Sequence, residues 1–481
     1  MKKNLLFITT DQQRFDSLRA YGFDKAKTPN IDRLCSEGTV FENCYVTSPV
    51  CVASRATMMT GLYPSVTGTL GNASWLEDYM PTWPQLASQA GYRTAGIGKM
   101  HFAPWDVLSG FQERIICEDK RHYYIPDDHY NFLKNDGKKR ICPVAFPMYD
   151  ETCGAPFYPY SKEFYPDMYI ADQTVDWLSK NTGGADDKPF AIWISFIGPH
   201  DPYDPPREYE NLYDVADMPA PIPVSDDISD KTSYNICNEI RPGKDVSVFQ
   251  CDYMSATDDQ KKYWRKNYMT NLSVIDEGIG KIFKYLDDNG LWETTTIVFT
   301  SDHGDALGDH GMVFKMYYYE SMVHVPLIIK GAGVPKGERR NALISMCDIV
   351  PFFLETMGLE PLKVSQGVSI SVAIVDKDAA LHDAVFSEME GRYMAFDGRY
   401  KLTHHVGRLD ELYDLENDPS ELINCINKPE YAQHKLRLTE LILRHMDDCN
   451  RARTKLSAEI ACEKRMEIDK AYKNGVDVTV M

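Results

Sequence analysis

The chain has 481 residues, 43% hydrophobic and 26% charged, a globular balance with room for two or three domains or for one large α/β domain with an appendage. Its net charge of −19 argues against nucleic acid or an anionic membrane as partner, so an anionic substrate would need a local positive pocket against the overall field. The 12 cysteines show no CxxC pair and no regular spacing, which disfavours a zinc ribbon or a disulfide framework and suits a reducing compartment.

Residues 4–10 read as a buried strand, with Asp11 and Gln12 at its end, where ligands gather in open α/β sheets; a cap or turn role fits Asp11 equally well. The apolar run Leu5 to Ile8 is too short for a signal peptide, and no run approaches transmembrane length, so the expected location is the cytoplasm. Pro29 opens a helix stopped by Gly38, and Thr39 to Val46 is extended. After Ser48-Pro49 a helix starts at Cys51 and stops at Gly61. Cys51 and Arg55 lie one turn apart at the helix end that favours anions; a buried structural cysteine beside an arginine fits the same spacing.

A helix near 83–89 and a strand through Ala95 to Ile97 lead to Gly98-Lys99-Met100-His101, whose Lys and His share a side if extended. Residues 103–165 lack periodicity and read as a long loop; 204–258 read as a second irregular, acidic excursion. Between them lie a helix near 168–178 and an apolar strand, Phe190 to Phe196, that ends at Pro199-His200. A long helix near 258–288 precedes the strand Thr295 to Thr300, followed at once by Asp302-His303, an oxygen and nitrogen donor pair suited to a hard metal. Lys315 falls in a loop, Val325 to Ile329 is a strand, and 349–357 a helix.

After about residue 365 the pattern changes to short strands at 384–387, 393–396 and 399–404, an Asp397-Gly398 hairpin signal and a helix near 429–446. The alternation of strands and helices predicts an α/β fold: a large central mixed, mainly parallel sheet flanked by helices over 1–365, with a small C-terminal α+β subdomain over 366–481.

Cys51-x-Ala53-x-Arg55 followed by Thr60-Gly61 resembles the maturation signature of type I sulfatases, in the alkaline phosphatase superfamily. The commoner form has proline at position 53. Asp11, the Cys51 segment, Gly98-Lys99-x-His101, Pro199-His200, Asp302-His303 and Lys315 follow the order of that family along nearly the whole chain. The resemblance implies an alkaline-phosphatase-like fold and a sulfuric ester hydrolase acting on a sulfated sugar or another small sulfate ester. It implies that a maturation enzyme oxidises Cys51 to formylglycine, whose hydrate is the nucleophile. It further implies one divalent metal, calcium first and manganese or magnesium next, on Asp11, Gln12, Asp302, His303 and the residue 51 side chain. Arg55 would fix the nucleophile, Lys99, His200 and Lys315 would bind the sulfonate, His200 or Lys315 would protonate the leaving alcohol, and His101 would take the proton that drives sulfate release.

Gln12 and His303 stand where many sulfatases carry a second acid and an asparagine. Both occur in choline-sulfatase-like and phosphonate-monoesterase-like branches, so a phosphonate or phosphate ester hydrolase is the alternative, with a non-catalytic anion-binding protein more remote. Lys99-x-His101 favours the sulfatase.

Overall fold

The computed structural model describes residues 3–184, 188–240 and 251–473. The large sheet contains β1 (Asn4–Asp11), β2 (Thr39–Tyr45), β3 (Arg93–Gly98), β4 (Glu113–Ile116), β5 (Phe190–Pro199), β6 (Thr295–Ser301), β7 (His324–Lys330) and β8 (Glu338–Ser345). Their order across the sheet is β4-β3-β5-β1-β6-β7-β2-β8. Neighbours pair in parallel except at β7, which is antiparallel to both β6 and β2. The carboxyl ends of β1, β2, β3, β5 and β6 therefore share one edge.

Strand β1 shows why helices cover both faces. Leu6 and Ile8 point into a cluster with Ile170, Leu272 and Ile275 from the helices Pro166–Asn181 and Asp258–Asp288. Leu5 and Phe7 point the other way, onto Met58, Ile349 and Phe353. All four strand residues are fully buried, each contributing about 1.5–3 kcal/mol. A run apolar on both faces can be satisfied only between two helical layers.

A second sheet, antiparallel, is formed by β9 (Val385–Met389), β10 (Arg392–Phe396), β11 (Tyr400–His405) and β12 (Glu411–Asp414), in the order β12-β11-β10-β9. Leu438 and Ile442 of the helix Ala432–Lys473 cover Leu402 and Leu412 of that sheet. No helix among the described residues is long and apolar enough to cross a membrane.

Three expectations need correction. The 103–165 stretch contains β4 and the helix Asp128–Asn135, whose start is capped by Asp127 accepting from Tyr130 N (2.8 Å). The 204–258 stretch carries the helix Thr232–Ile240; its residues 241–250 lie outside the described residues. The last helix starts at Ala432 and runs to Lys473, well past Met446, because a thin stripe (Cys449, Ala452, Leu456, Ile460) still packs on Leu62, Tyr63 and Val66.

Candidate active site

The shared edge of strand ends gathers the polar residues. Asp11 ends β1, Lys99 follows β3, His200 follows β5, and Asp302 and His303 follow β6. Gly98 makes the exit from β3 feasible: its φ is +99°, and a Cβ there would sit 2.0 Å from Ser195 O. Cys51 opens the helix Cys51–Thr60, all ten residues of which are buried, and Gly61 closes it in the left-handed region (φ 68°) with its N–H on Thr57 O at 2.7 Å.

Arg55 anchors the cluster from below. Its Nε donates to Asp302 Oδ2 (2.9 Å), one terminal nitrogen to Asp11 Oδ2 (2.9 Å), and the other to Lys99 O (2.6 Å) and Ser195 Oγ (2.8 Å). Lys99 Nζ lies 2.7 Å from Asp11 Oδ2 and 2.9 Å from Asp119 Oδ2. Burial and the Cys51 charge oppose ionisation of Asp11, yet Lys99, His200 and Arg55 hold it well below the usual carboxylate range. Asp302 is pushed up by burial and by the neighbouring Asp11.

The donors fit a divalent cation. Asp11, Cys51, Asp302 and His303 each offer one ligand atom, all within 4.8 Å of one another. Asp11 Oδ1 is buried with no hydrogen-bond partner. His303 donates Nδ1–H to Gly304 O (2.9 Å), which leaves the Nε2 lone pair facing Cys51 Sγ (3.2 Å), Asp302 Oδ1 (3.7 Å) and Asp11 Oδ1 (3.9 Å). A backbone carbonyl fixing the tautomer is the arrangement that ligating histidines need.

Gln12, expected beside the metal, turns its side-chain carbonyl to Lys315 Nζ (2.7 Å) and its amide to Asp305 (2.7 Å) and Asp201 (3.3 Å). Its backbone has φ 69°, held by its N–H on Asp302 Oδ1 (3.0 Å) and by Tyr268 O–H on its carbonyl (2.8 Å). His101, also at positive φ (57°), has a buried Nδ1 without a partner.

Burial would push the Cys51 thiol up, but Lys315, His303, Lys99 and a hydrogen bond from His101 pull it well below the ordinary cysteine range. Residue 51 is therefore the point on which the cations and imidazoles converge. His200 Nε2 accepts from Lys315 Nζ (2.7 Å) and Arg121 (3.0 Å), while Nδ1–H donates to Asp201 O (2.8 Å).

All the expected site residues thus come together on one edge. Asp119, Arg121, Asp201, Asp305 and Ser195 join them without having been singled out. Asp119 and Arg121 fall in the aperiodic 103–165 stretch, which gave no signal; Asp305, three residues past Asp302, had proximity as its only cue.

The sulfatase family profile matches residues 3–359, and that of the C-terminal region of N-sulphoglucosamine sulphohydrolase matches residues 308–448. An arylsulfatase of Clostridium perfringens is 28% identical, covering 93% of this chain and 95% of its own. A choline-sulfatase of Rhizobium meliloti is 29% identical over 91% and 85%. The phosphonate monoester hydrolase of Agrobacterium radiobacter superposes with a TM-score of 0.82 at 26% identity, over 93% and 96%. The chain belongs to the sulfatase family and is a sulfuric ester hydrolase with an alkaline-phosphatase-like fold. Membership implies a metal and a formylglycine made from cysteine, which the Asp11, Cys51, Asp302 and His303 cluster accommodates.

Proposed function

We propose that this enzyme hydrolyses the sulfate ester of a small sulfated sugar, with residue 51, matured to formylglycine, as nucleophile. The observation that carries the reading is the convergence of Lys99, His101, His303 and Lys315 on Cys51 above two buried carboxylates.

Asp11, Asp302, His303 and the residue 51 side chain would hold a divalent cation, calcium first and manganese or magnesium next, which would supply Lewis-acid polarisation and lower the pKa of an adjacent hydroxyl. The aldehyde hydrate at position 51 supplies two geminal hydroxyls, one to attack sulfur and one to drive release. Arg55 favours the ionised form of Asp11 and Asp302 and aims both carboxylates. Lys99 and Lys315 offset the negative charge of the sulfuryl oxygens as it redistributes. His200, with its proton on Nδ1, presents a lone pair and not a proton at Nε2, so Lys315 is the group that protonates the leaving oxygen and His200 positions it. His101, which bonds the residue 51 side chain, takes the proton from the second hydroxyl.

A ladder of rings leads outward from His101 through His122 (centroids 5.8 Å) and Tyr124 (5.9 Å) to Tyr123 (5.7 Å), with Tyr124 67% exposed. Exposed aromatic faces beside an anion site suit the apolar face of a sugar ring. Cys51 and Arg55 are buried, so a formylglycine-generating enzyme must read this segment before it folds. Twelve free cysteines support a reducing, cytoplasmic location.

The likeness to a phosphonate monoester hydrolase favours a second reading. Matured, metal-loaded enzyme should turn over sulfated monosaccharides with a higher kcat/KM than choline sulfate, an aryl sulfate or a phosphonate monoester. Turnover of the phosphonate with no sulfate ester hydrolysed would install the second reading; no turnover of any ester would reject both.

A further inference from the structure

A second group of ligand-type side chains lies away from the Cys51 cluster, between β9 and the C-terminal helix. Glu388 belongs to β9; His445 and Cys449 stand one turn apart on the helix Ala432–Lys473. Each offers one donor atom, the three within 4.8 Å of one another, and they are 1%, 7% and 3% exposed. We propose that Glu388, His445 and Cys449 form a second metal site that takes Zn²⁺ and staples the C-terminal helix to the small sheet.

The spacing supports a shared cation. Tetrahedral zinc, with bonds of about 2.3 Å to sulfur, about 2.05 Å to nitrogen and about 2.1 Å to oxygen, sets nitrogen and oxygen about 3.4 Å apart and sulfur and nitrogen about 3.6 Å apart. His445 Nε2 lies 3.4 Å from Glu388 Oε2 and 3.6 Å from Cys449 Sγ, with Sγ 3.9 Å from Nδ1. A direct imidazolium–carboxylate hydrogen bond would close to about 2.7–2.9 Å. Glu388 Oε1 accepts from Ser65 N (2.7 Å), but Oε2, facing the histidine, is buried with no hydrogen-bond partner.

The surroundings hold these donors in place. Phe386 stacks on the His445 ring (4.3 Å, 6°) and Tyr63 meets it edge-on (4.4 Å), which leaves the ring nitrogens as its points of attachment. Gln366 Nε2 donates to Cys449 Sγ (3.3 Å), a bond that a thiolate ligand welcomes, while its carbonyl is taken by Tyr63 N (2.9 Å). Sulfur, nitrogen and one carboxylate select zinc over calcium or magnesium. Burial of all three beneath Tyr63 and Phe386 denies a substrate access, which sets aside a nucleophilic Cys-His-Glu triad.

The test uses the full chain carrying Cys51→Ala, so that the catalytic cluster offers no thiolate. Chelator-stripped protein titrated with Co²⁺ should develop a near-ultraviolet thiolate-to-cobalt band that saturates at one equivalent and is bleached by Zn²⁺. Cys449→Ser should abolish the band, and Glu388→Gln should weaken uptake at least tenfold. Without any further variant, Zn²⁺ should slow alkylation of Cys449 in peptide mass spectrometry. No band, a band that survives Cys449→Ser, or alkylation of Cys449 indifferent to Zn²⁺ would overturn the site.

Discussion

Replacing Arg55 by methionine keeps most of the buried stem and removes the charge. The guanidinium is 1% exposed and makes four hydrogen bonds, two of them to carboxylates that are fully buried. Breaking a buried pair by deleting one partner costs about 3–5 kcal/mol. Asp11 keeps Lys99 at 2.7 Å, whereas Asp302 keeps only the Gln12 N–H at 3.0 Å, so the loss falls mainly on Asp302. The Lys99 carbonyl and Ser195 hydroxyl lose a neutral partner each, about 0.5–1.5 kcal/mol apiece. In chelated protein the expected loss is therefore about 4–8 kcal/mol, a large part of an ordinary domain's stability. Asp302, already pushed up by burial and Asp11, should then take up a proton more readily. The assay is urea unfolding with and without Ca²⁺. Ca²⁺ at 100 times the parent's dissociation constant should return about 2.7 kcal/mol to the parent and, at the same concentration, more to the variant if Asp302 binds the cation. A loss below about 1 kcal/mol, at unchanged dependence on urea, would refute the view that Arg55 neutralises the carboxylate pair.

Two other perturbations read separate parts of the account. His129 accepts from Arg140 at Nδ1 (3.1 Å) and donates from Nε2 to Phe164 O (3.0 Å), and burial and Arg140 lower its pKa from 6.5 to about 3. The stability this provides is fully present above pH 6.5 and is lost as pH falls toward 3, by about 3–5 kcal/mol; in His129→Phe that stretch of the stability–pH curve should flatten, and an unchanged curve would contradict it. His101→Ala should lower steady-state kcat by about 10²–10⁴, with a burst of alcohol near one equivalent and sulfate retained on the protein, while Lys315→Ala should slow the first step, most for poor leaving groups; equal slowing of both steps by both changes would leave the two residues as anion binders only.

What was legible in the sequence follows the strength of burial. Strands apolar on both faces, such as Leu5 to Ile8 and Phe190 to Phe196, were readable because only a central strand can carry them. β12, also missed, is an edge of the small sheet, and the two strands missed in the large sheet, β4 and β8, are its edges. Their charged residues, Glu113-Arg114 and Glu338-Arg339-Arg340, blunt those edges and hide the strand pattern. The late turns of the C-terminal helix were missed because their apolar stripe is only a residue or two per turn. At the site, strand-end placement made Asp11, Lys99, His200, Asp302 and His303 readable, and the Cys51-x-Ala53-x-Arg55 motif marked the residue proposed as nucleophile. The pairing of Gln12 with Lys315, and the place of Asp119 and Arg121 beside Lys99 and His200, depend on contacts across 303, 20 and 79 residues, which no local pattern encodes.

The most direct test of the central claim is quantitative peptide mass spectrometry of the Cys51 segment, run beside activity on one set of preparations made with and without a formylglycine-generating enzyme. The account predicts that sulfate release per mole of chain rises in proportion to the formylglycine fraction and extrapolates to zero at none. Full activity in a preparation whose residue 51 is entirely unmodified cysteine would contradict it.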